Sequence, residues 1–345
     1  MTSTEYLKQL LAGNKPPGHF MMPLVKQFCT VNTAGKYGEY SLDYHVLTRC
    51  QLEIIERYPI DIFNVLGYPY REAADCGLSV EFPEDGQPVS EGVLIHSRDD
   101  LERIYWPDPR EGRLMANRIA ACREFKRLRP DIVMMGACEA PFAQACTFLG
   151  IERAMMLLYE DPQFLLDVME RIEPLELDFC MAQIEAGAEM IFMGDSLASQ
   201  VNPHFYEDYI LDFEKRITQN IQAYGVPVRL HICGDITSIL CRVASTEARF
   251  IDIDFPVDIT DACRAVARVS PTSYVVGNFH PVQVLLNGSP EEVRRVCRNC
   301  ESEAAAFNNF ILAPGCEVPP ATPVDNYQTL LEFGWKAKVG ETNEC

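Results

Sequence analysis

The chain has 345 residues and a formal net charge of −20, a length that fits one large domain or two smaller ones. So acidic a balance argues against nucleic acid or an anionic membrane as partner, and no apolar run reaches the length of a membrane span. Residues 1–8 lack the apolar core of a secretory signal, so the 14 Cys are expected as reduced thiols in a cytoplasm rather than as disulfides.

In chain order, a helix is expected over Ser3–Leu11, then the turn Pro16-Pro17-Gly18 and a second helix over 43–58. Asp61-Ile62-Phe63-Asn64-Val65-Leu66 reads as a first strand. The turn-rich stretch 70–98 holds one hairpin arm at 76–82, and helices follow at 99–104 and 112–128. From there the rhythm is regular. Strands are predicted at 131–136, 190–193, 227–232, 250–255, 274–278 and 310–313. The helices between them lie at 142–149, 151–161, 162–187, 202–224, 237–245, 259–269 and 290–308, with a last one at 325–335. Asn202 caps its helix, with Pro203 at the first helical position. Alternation of strand and helix at this spacing builds a parallel sheet. Six or more such units without a GxGxxG opening favour a closed (β/α)8 barrel over a doubly wound sheet. The chain is expected to form one such domain over 1–345, its first 60 residues a helical extension packed on the barrel.

The most informative residues are His231 and Cys233, in Val228-Arg229-Leu230-His231-Ile232-Cys233-Gly234-Asp235. Side chains two positions apart on a strand point to the same side. An imidazole and a thiol therefore sit together where an apolar strand ends. Cys316 lies at the end of another apolar run, before turn residues, in Leu312-Ala313-Pro314-Gly315-Cys316-Glu317-Val318-Pro319-Pro320. One nitrogen and two sulfurs suit zinc, and three protein ligands leave the open position of a catalytic site. Cys297-Arg298-Asn299-Cys300 imitates a metal pair, but it falls inside a predicted helix with no second pair and is read as packing. In such barrels the chemistry sits at the C-terminal ends of the strands. Glu139, Asp195 and Asp254 fall at three more of those ends, while Asp235 reads as a helix cap.

Five segments together resemble the uroporphyrinogen decarboxylase superfamily: 136–150, Gly194-Asp195-Ser196-Leu197-Ala198-Ser199, Leu230-His231-Ile232-Cys233-Gly234-Asp235, 277–293 and 315–326. The resemblance spans roughly residues 50 to 335 and implies a (β/α)8 barrel. Of the superfamily's two chemistries, metal-free porphyrinogen decarboxylation and zinc-dependent methyl transfer in corrinoid systems, the chain is similar to the second. His-x-Cys and a distant Cys in a Gly-Cys-x-x-Pro-Pro-x-Thr-Pro context mark that branch, which includes methyltransferases acting on coenzyme M. The Arg and the acid that mark the decarboxylase branch are replaced here by Lys36 and by Asn64 or Val65. Lysine does not substitute for a forked guanidinium on carboxylates.

The resemblance implies zinc on His231, Cys233 and Cys316, with Asp254 the first choice for a fourth ligand and Glu139 the second. It implies a corrinoid (methylcobalamin) carried by a separate protein, because no corrinoid-binding module is visible in the chain. Zinc would activate a small thiol acceptor, or an O-methyl or methanol-type donor. Asp195 is expected to aim into the barrel mouth and to orient substrate or corrinoid as a catalytic residue, with Glu139 beside it. The rival readings are the metal-free decarboxylase and a non-catalytic zinc- or thiol-sensing barrel.

Overall fold

The computed structural model describes residues 1–14 and 16–337. Seven parallel strands form one curled sheet in chain order: β1 (Ile62–Asn64), β2 (Val133–Glu139), β3 (Met190–Gly194), β4 (Val228–His231), β5 (Phe250–Asp252), β6 (Tyr274–Phe279) and β7 (Phe310–Pro314). Every residue of these strands is buried except Glu139, which is partly exposed. Strands covered on both faces read as continuous apolar runs rather than alternating ones. Helices between the strands cover the outside, giving the expected α/β barrel.

The gap between β7 and β1 is filled from the N-terminal region. Residues 20–25 are buried. Asp61 donates its N–H to the Met21 carbonyl, and Val318 donates its N–H to Leu24. Arg229 reaches across the interior to the Met22 carbonyl, 2.7 Å away. Part of the first 60 residues thus enters the barrel wall, while the helix Ser3–Leu11 lies outside it. The helix predicted over 202–224 is interrupted by a π-helical turn at Tyr206–Ile210, and the strand predicted to end at 255 leaves the sheet after Asp252. A short hairpin, Ser79–Glu81 with Val89–Glu91, stands apart from the barrel. Among the described residues no helix is long and apolar enough to cross a membrane.

The register positions the site. Glu139 pairs with Gly194, Gly194 with His231, and His231 with Asp252. Residues paired in parallel strands point to the same face, so this row of four runs along the inner C-terminal rim.

Candidate metal centre and cleft

β4 ends at His231, and Cys233, two residues on, turns to the same inner face. Gly234 then breaks the segment at φ +87°, a conformation that favours glycine. β7 ends at Pro314, and Gly315 brings Cys316 over the same rim. Gly315 is required by close approach, since a Cβ there would lie 2.4 Å from Asp254 Oδ1. The three ligand atoms lie within 4.8 Å of one another. His231 Nε2 is 2.9 Å from Cys233 Sγ and 3.8 Å from Cys316 Sγ, and the sulfurs are 3.6 Å apart. A zinc tetrahedron with bonds of about 2.0–2.3 Å has edges of about 3.5 Å, so the donor set fits that ion in chemistry and in size.

The imidazole is held from behind. His231 Nδ1 lies 2.8 Å from Asp252 Oδ2, and the same carboxylate takes Arg229 Nε at 2.8 and 3.0 Å. With Nδ1–H donating to Asp252, Nε2 presents its lone pair to the sulfurs. Burial opposes a charge on Asp252, but Arg229 and His231 overcome it and keep the carboxyl below its ordinary range. The two thiols share a proton: the hydrogen bond from Cys233 holds the Cys316 thiol below its ordinary range, and the same bond pushes Cys233 up.

The expected fourth ligand, Asp254, does not join this group. The acid in register with His231 is Asp252. Asp254 instead accepts the N–H of Gly234 at 3.0 Å and of Phe255 at 2.7 Å, and its contact with Gly315 ties it to the turn that carries Cys316. It braces both cysteine turns. Cys297 and Cys300 are buried in the helix Pro290–Glu303, outside the ligand group.

A model of the uroporphyrinogen decarboxylase (URO-D) family matches residues 10–335. The chain belongs to that family. Among its relatives is methylcobamide:CoM methyltransferase MtbA of Methanosarcina acetivorans, 33% identical over 332 residues, covering 90% of this chain and 92% of that protein. Another is a uroporphyrinogen decarboxylase of Roseiflexus sp., 31% identical over 258 residues, covering 70% of this chain and 72% of that one. A solved methyltransferase from Methanosarcina mazei superposes with a TM-score of 0.81 over 96% of this chain and 98% of that one, at 17% identity, and so shares the fold.

In this member of the decarboxylase family His231, Cys233 and Cys316 line a cleft of about 230 Å³. Leu24, Leu66 and Phe192 give it apolar sides, and Lys26, Arg71, Glu139, Ser196 and Glu317 bring polar groups into it. Ser196 Oγ lies 3.6 Å from Cys233 Sγ. Burial and the nearby Glu72 carboxylate push Glu139 up to about 7, against the pull of Arg71. Glu139 is thus where the sequence places it, in the barrel mouth. Lys26, Arg71, Ser196, Glu317 and Asp252 went unrecognised in the sequence. Ser196 was findable, two residues beyond Gly194 on the inward phase of β3; Lys26 and Arg71 carry no strand periodicity to betray them. Lys36 lies outside the cleft and pairs with Asp85.

Asp195 does not enter the cleft. Gly194 and Ser196 face inward, so side-chain alternation sends Asp195 into the helix layer, where it is fully buried. There its carboxyl lies against that of Glu214, which accepts the Tyr206 hydroxyl at 2.5 Å. Two buried acids side by side hold a proton between them. Burial pushes Glu214 from its ordinary 4.5 to about 7 despite the bonds from Tyr206 and Asp195. An acid whose folded value lies above its unfolded value binds more protons folded than unfolded, so stability falls as pH rises from about 4.5 to about 7. Glu214→Gln is expected to remove that share of the loss, on the order of 3 kcal/mol at most. Urea unfolding at pH 5 and pH 8 checks it: an unchanged difference between the two pH values in the variant would show Glu214 ionised in the folded protein.

Proposed function

We propose that the protein moves a methyl group between a corrinoid on a separate protein and a small substrate held at zinc in the cleft. The observation that carries this reading is the convergence of His231, Cys233 and Cys316 on one rim of the barrel, with donor spacings that suit the ion. The similarity to a methylcobamide:CoM methyltransferase over nine-tenths of the chain supports it.

Zinc bound there would hold a substrate sulfur as thiolate, or polarise a substrate oxygen. The protein's own residues do the rest. Asp252, anchored by Arg229, fixes the ring of His231 so that Nε2 faces the ligand position. Glu139, with a value near neutrality, can take the proton of a thiol acceptor or give one to the oxygen of an O-methyl donor. Leu24, Leu66 and Phe192 exclude water from the reacting centre. The corrinoid protein would approach over the C-terminal rim, the face on which the cleft opens. Asp195 acts from behind: its backbone N–H donates to the His231 carbonyl, and Ser196 follows it into the cleft.

The test begins with zinc content, then mixes the protein with methylcobalamin and a panel of thiols and methyl ethers. Zinc-dependent methyl transfer that a chelator abolishes is the expected result. Conversion of uroporphyrinogen to coproporphyrinogen that survives the chelator would instead assign the decarboxylation named for the Roseiflexus relative.

A further inference from the structure

Ser196 is brought to Cys233 by the register of the sheet. Gly194 of β3 is paired with His231 of β4. Ser196 and Cys233 each stand two positions beyond that pair, on the inward phase of their strands. The pairing continues past the strand ends, since Asp195 donates its N–H to the His231 carbonyl at 2.9 Å. The loop then closes on itself. Ala198 returns its N–H to the Asp195 carbonyl at 3.1 Å, and the Ser199 hydroxyl donates to the Ser196 carbonyl at 3.3 Å. Ser196 Oγ is left in the cleft, 3.6 Å from Cys233 Sγ. Among the described residues it has no other hydrogen-bond partner.

Three side-chain atoms of the described residues stand within hydrogen-bonding reach of Cys233 Sγ: His231 Nε2 at 2.9 Å, Cys316 Sγ at 3.6 Å and Ser196 Oγ. In the metal-free protein each can share a proton with it. An ion held by the three ligands ends this for two of them. Nε2 gives its lone pair to the metal and Cys316 binds as thiolate, so neither has a hydrogen left to offer. The hydroxyl keeps its own. We infer that Ser196 donates a hydrogen bond to the Cys233 thiolate of the metal-loaded site and so limits the charge that this sulfur passes to the ion. Such a bond has an ionised acceptor and belongs to the stronger kind. Two thiolates make an electron-rich ligand set, which weakens the pull of the ion on a substrate atom. A hydrogen bond that holds charge on one sulfur restores part of that pull. Ser196 thus tunes the ion without ligating it. The inference rests on the metal-centred reading of His231, Cys233 and Cys316.

Cobalt(II) in place of zinc makes sulfur donation visible, because thiolate-to-cobalt charge transfer absorbs in the near ultraviolet, where zinc is silent. Ser196 is exposed, so its replacement leaves the packed core intact. Ser196→Ala is expected to keep about one cobalt per chain, since all three ligands remain. Its charge-transfer band is expected at longer wavelength than in the wild type, because a thiolate freed of its hydrogen bond gives up charge more easily. Competition with a chelator is expected to show metal affinity lowered about tenfold, the small end of the range for a lost hydrogen bond to a ligand. Ser196→Thr, which keeps the hydroxyl, is expected to restore both the band and the affinity. A spectrum and an affinity equal to wild type in Ser196→Ala would overturn the inference and leave the metal reading standing. So would a shift that Ser196→Thr leaves uncorrected, which would trace the change to packing. Complete loss of cobalt in Ser196→Ala would also overturn it, by making Ser196 a ligand and not a donor. A wild-type protein that binds neither cobalt nor zinc would overturn the metal reading, and the inference with it.

Discussion

Cys233→Ala is expected to reduce zinc from about one ion per chain to a small fraction of that, because it removes one of three protein ligands. The remaining His231 and Cys316 stand 3.8 Å apart and form only a two-point site. The loss follows from the proton balance as well. The metal-free pair shares one proton between Cys233 and Cys316, and a metal ion takes its place. Without Cys233 the hydrogen bond that draws Cys316 down is gone. Elemental analysis of dialysed protein reads the result directly. Cys297→Ala and Cys300→Ala are the controls: both thiols are buried in a helix outside the ligand group, and their variants are expected to keep the ion. Equal zinc in Cys233→Ala and wild-type protein would remove the basis of the proposed function.

The second large effect is expected at Asp252, a residue that touches neither metal nor substrate. Asp252 is 4% exposed, and its carboxylate serves both Arg229 and His231. Asp252→Ala leaves the Arg229 guanidinium, 1% exposed, as a buried charge without its carboxylate. Breaking a buried pair from one side costs about 3–5 kcal/mol, softened here by the bond that Arg229 keeps to the Met22 carbonyl. The same change frees the ring of His231, and loss of such an orienting carboxylate lowers metal affinity by about 10–100-fold. Unfolding of the metal-free protein in urea isolates the first effect, and chelator competition isolates the second. Asp252→Asn keeps an acceptor for His231 Nδ1–H without the charge for Arg229, so it should recover part of the affinity and little of the stability. Unfolding of Asp252→Ala within about 1 kcal/mol of wild type would mean that Arg229 finds compensation elsewhere.

These expectations give different roles to two acids that look alike in the sequence. Asp252 and Asp254 are two residues apart, but only Asp252 pairs with His231 in the sheet. The chain leaves the sheet after Asp252, and Asp254 then turns to backbone N–H groups instead of to the metal position. The family's named activities, porphyrinogen decarboxylation and methyl transfer, are both represented among relatives of similar identity. What favours the second here is the side-chain content of one rim, not the fold the two share.

The amino-acid sequence by itself determined the barrel, the pairing of His231 with Cys233 and the candidacy of Cys316. Each depends on relations within one segment: alternation of strand and helix, a spacing of two on a strand, and turn residues after an apolar run. What lies across segments was decided only by the tertiary structure. Register sets which acid backs His231, and nothing local to 250–255 separates Asp252 from Asp254. A shift of one residue turns a side chain from the inner to the outer face, which is why Asp195, one step beyond Gly194, is packed against Glu214 and not in the cleft. Residues 20–25 close the barrel between β7 and β1 through bonds to Asp61 and Val318, partners so distant in the chain that no pattern in the segment announces them. Lys26 and Arg71 reach the cleft by the same long-range packing, each paired with a carboxylate, Glu317 and Glu72.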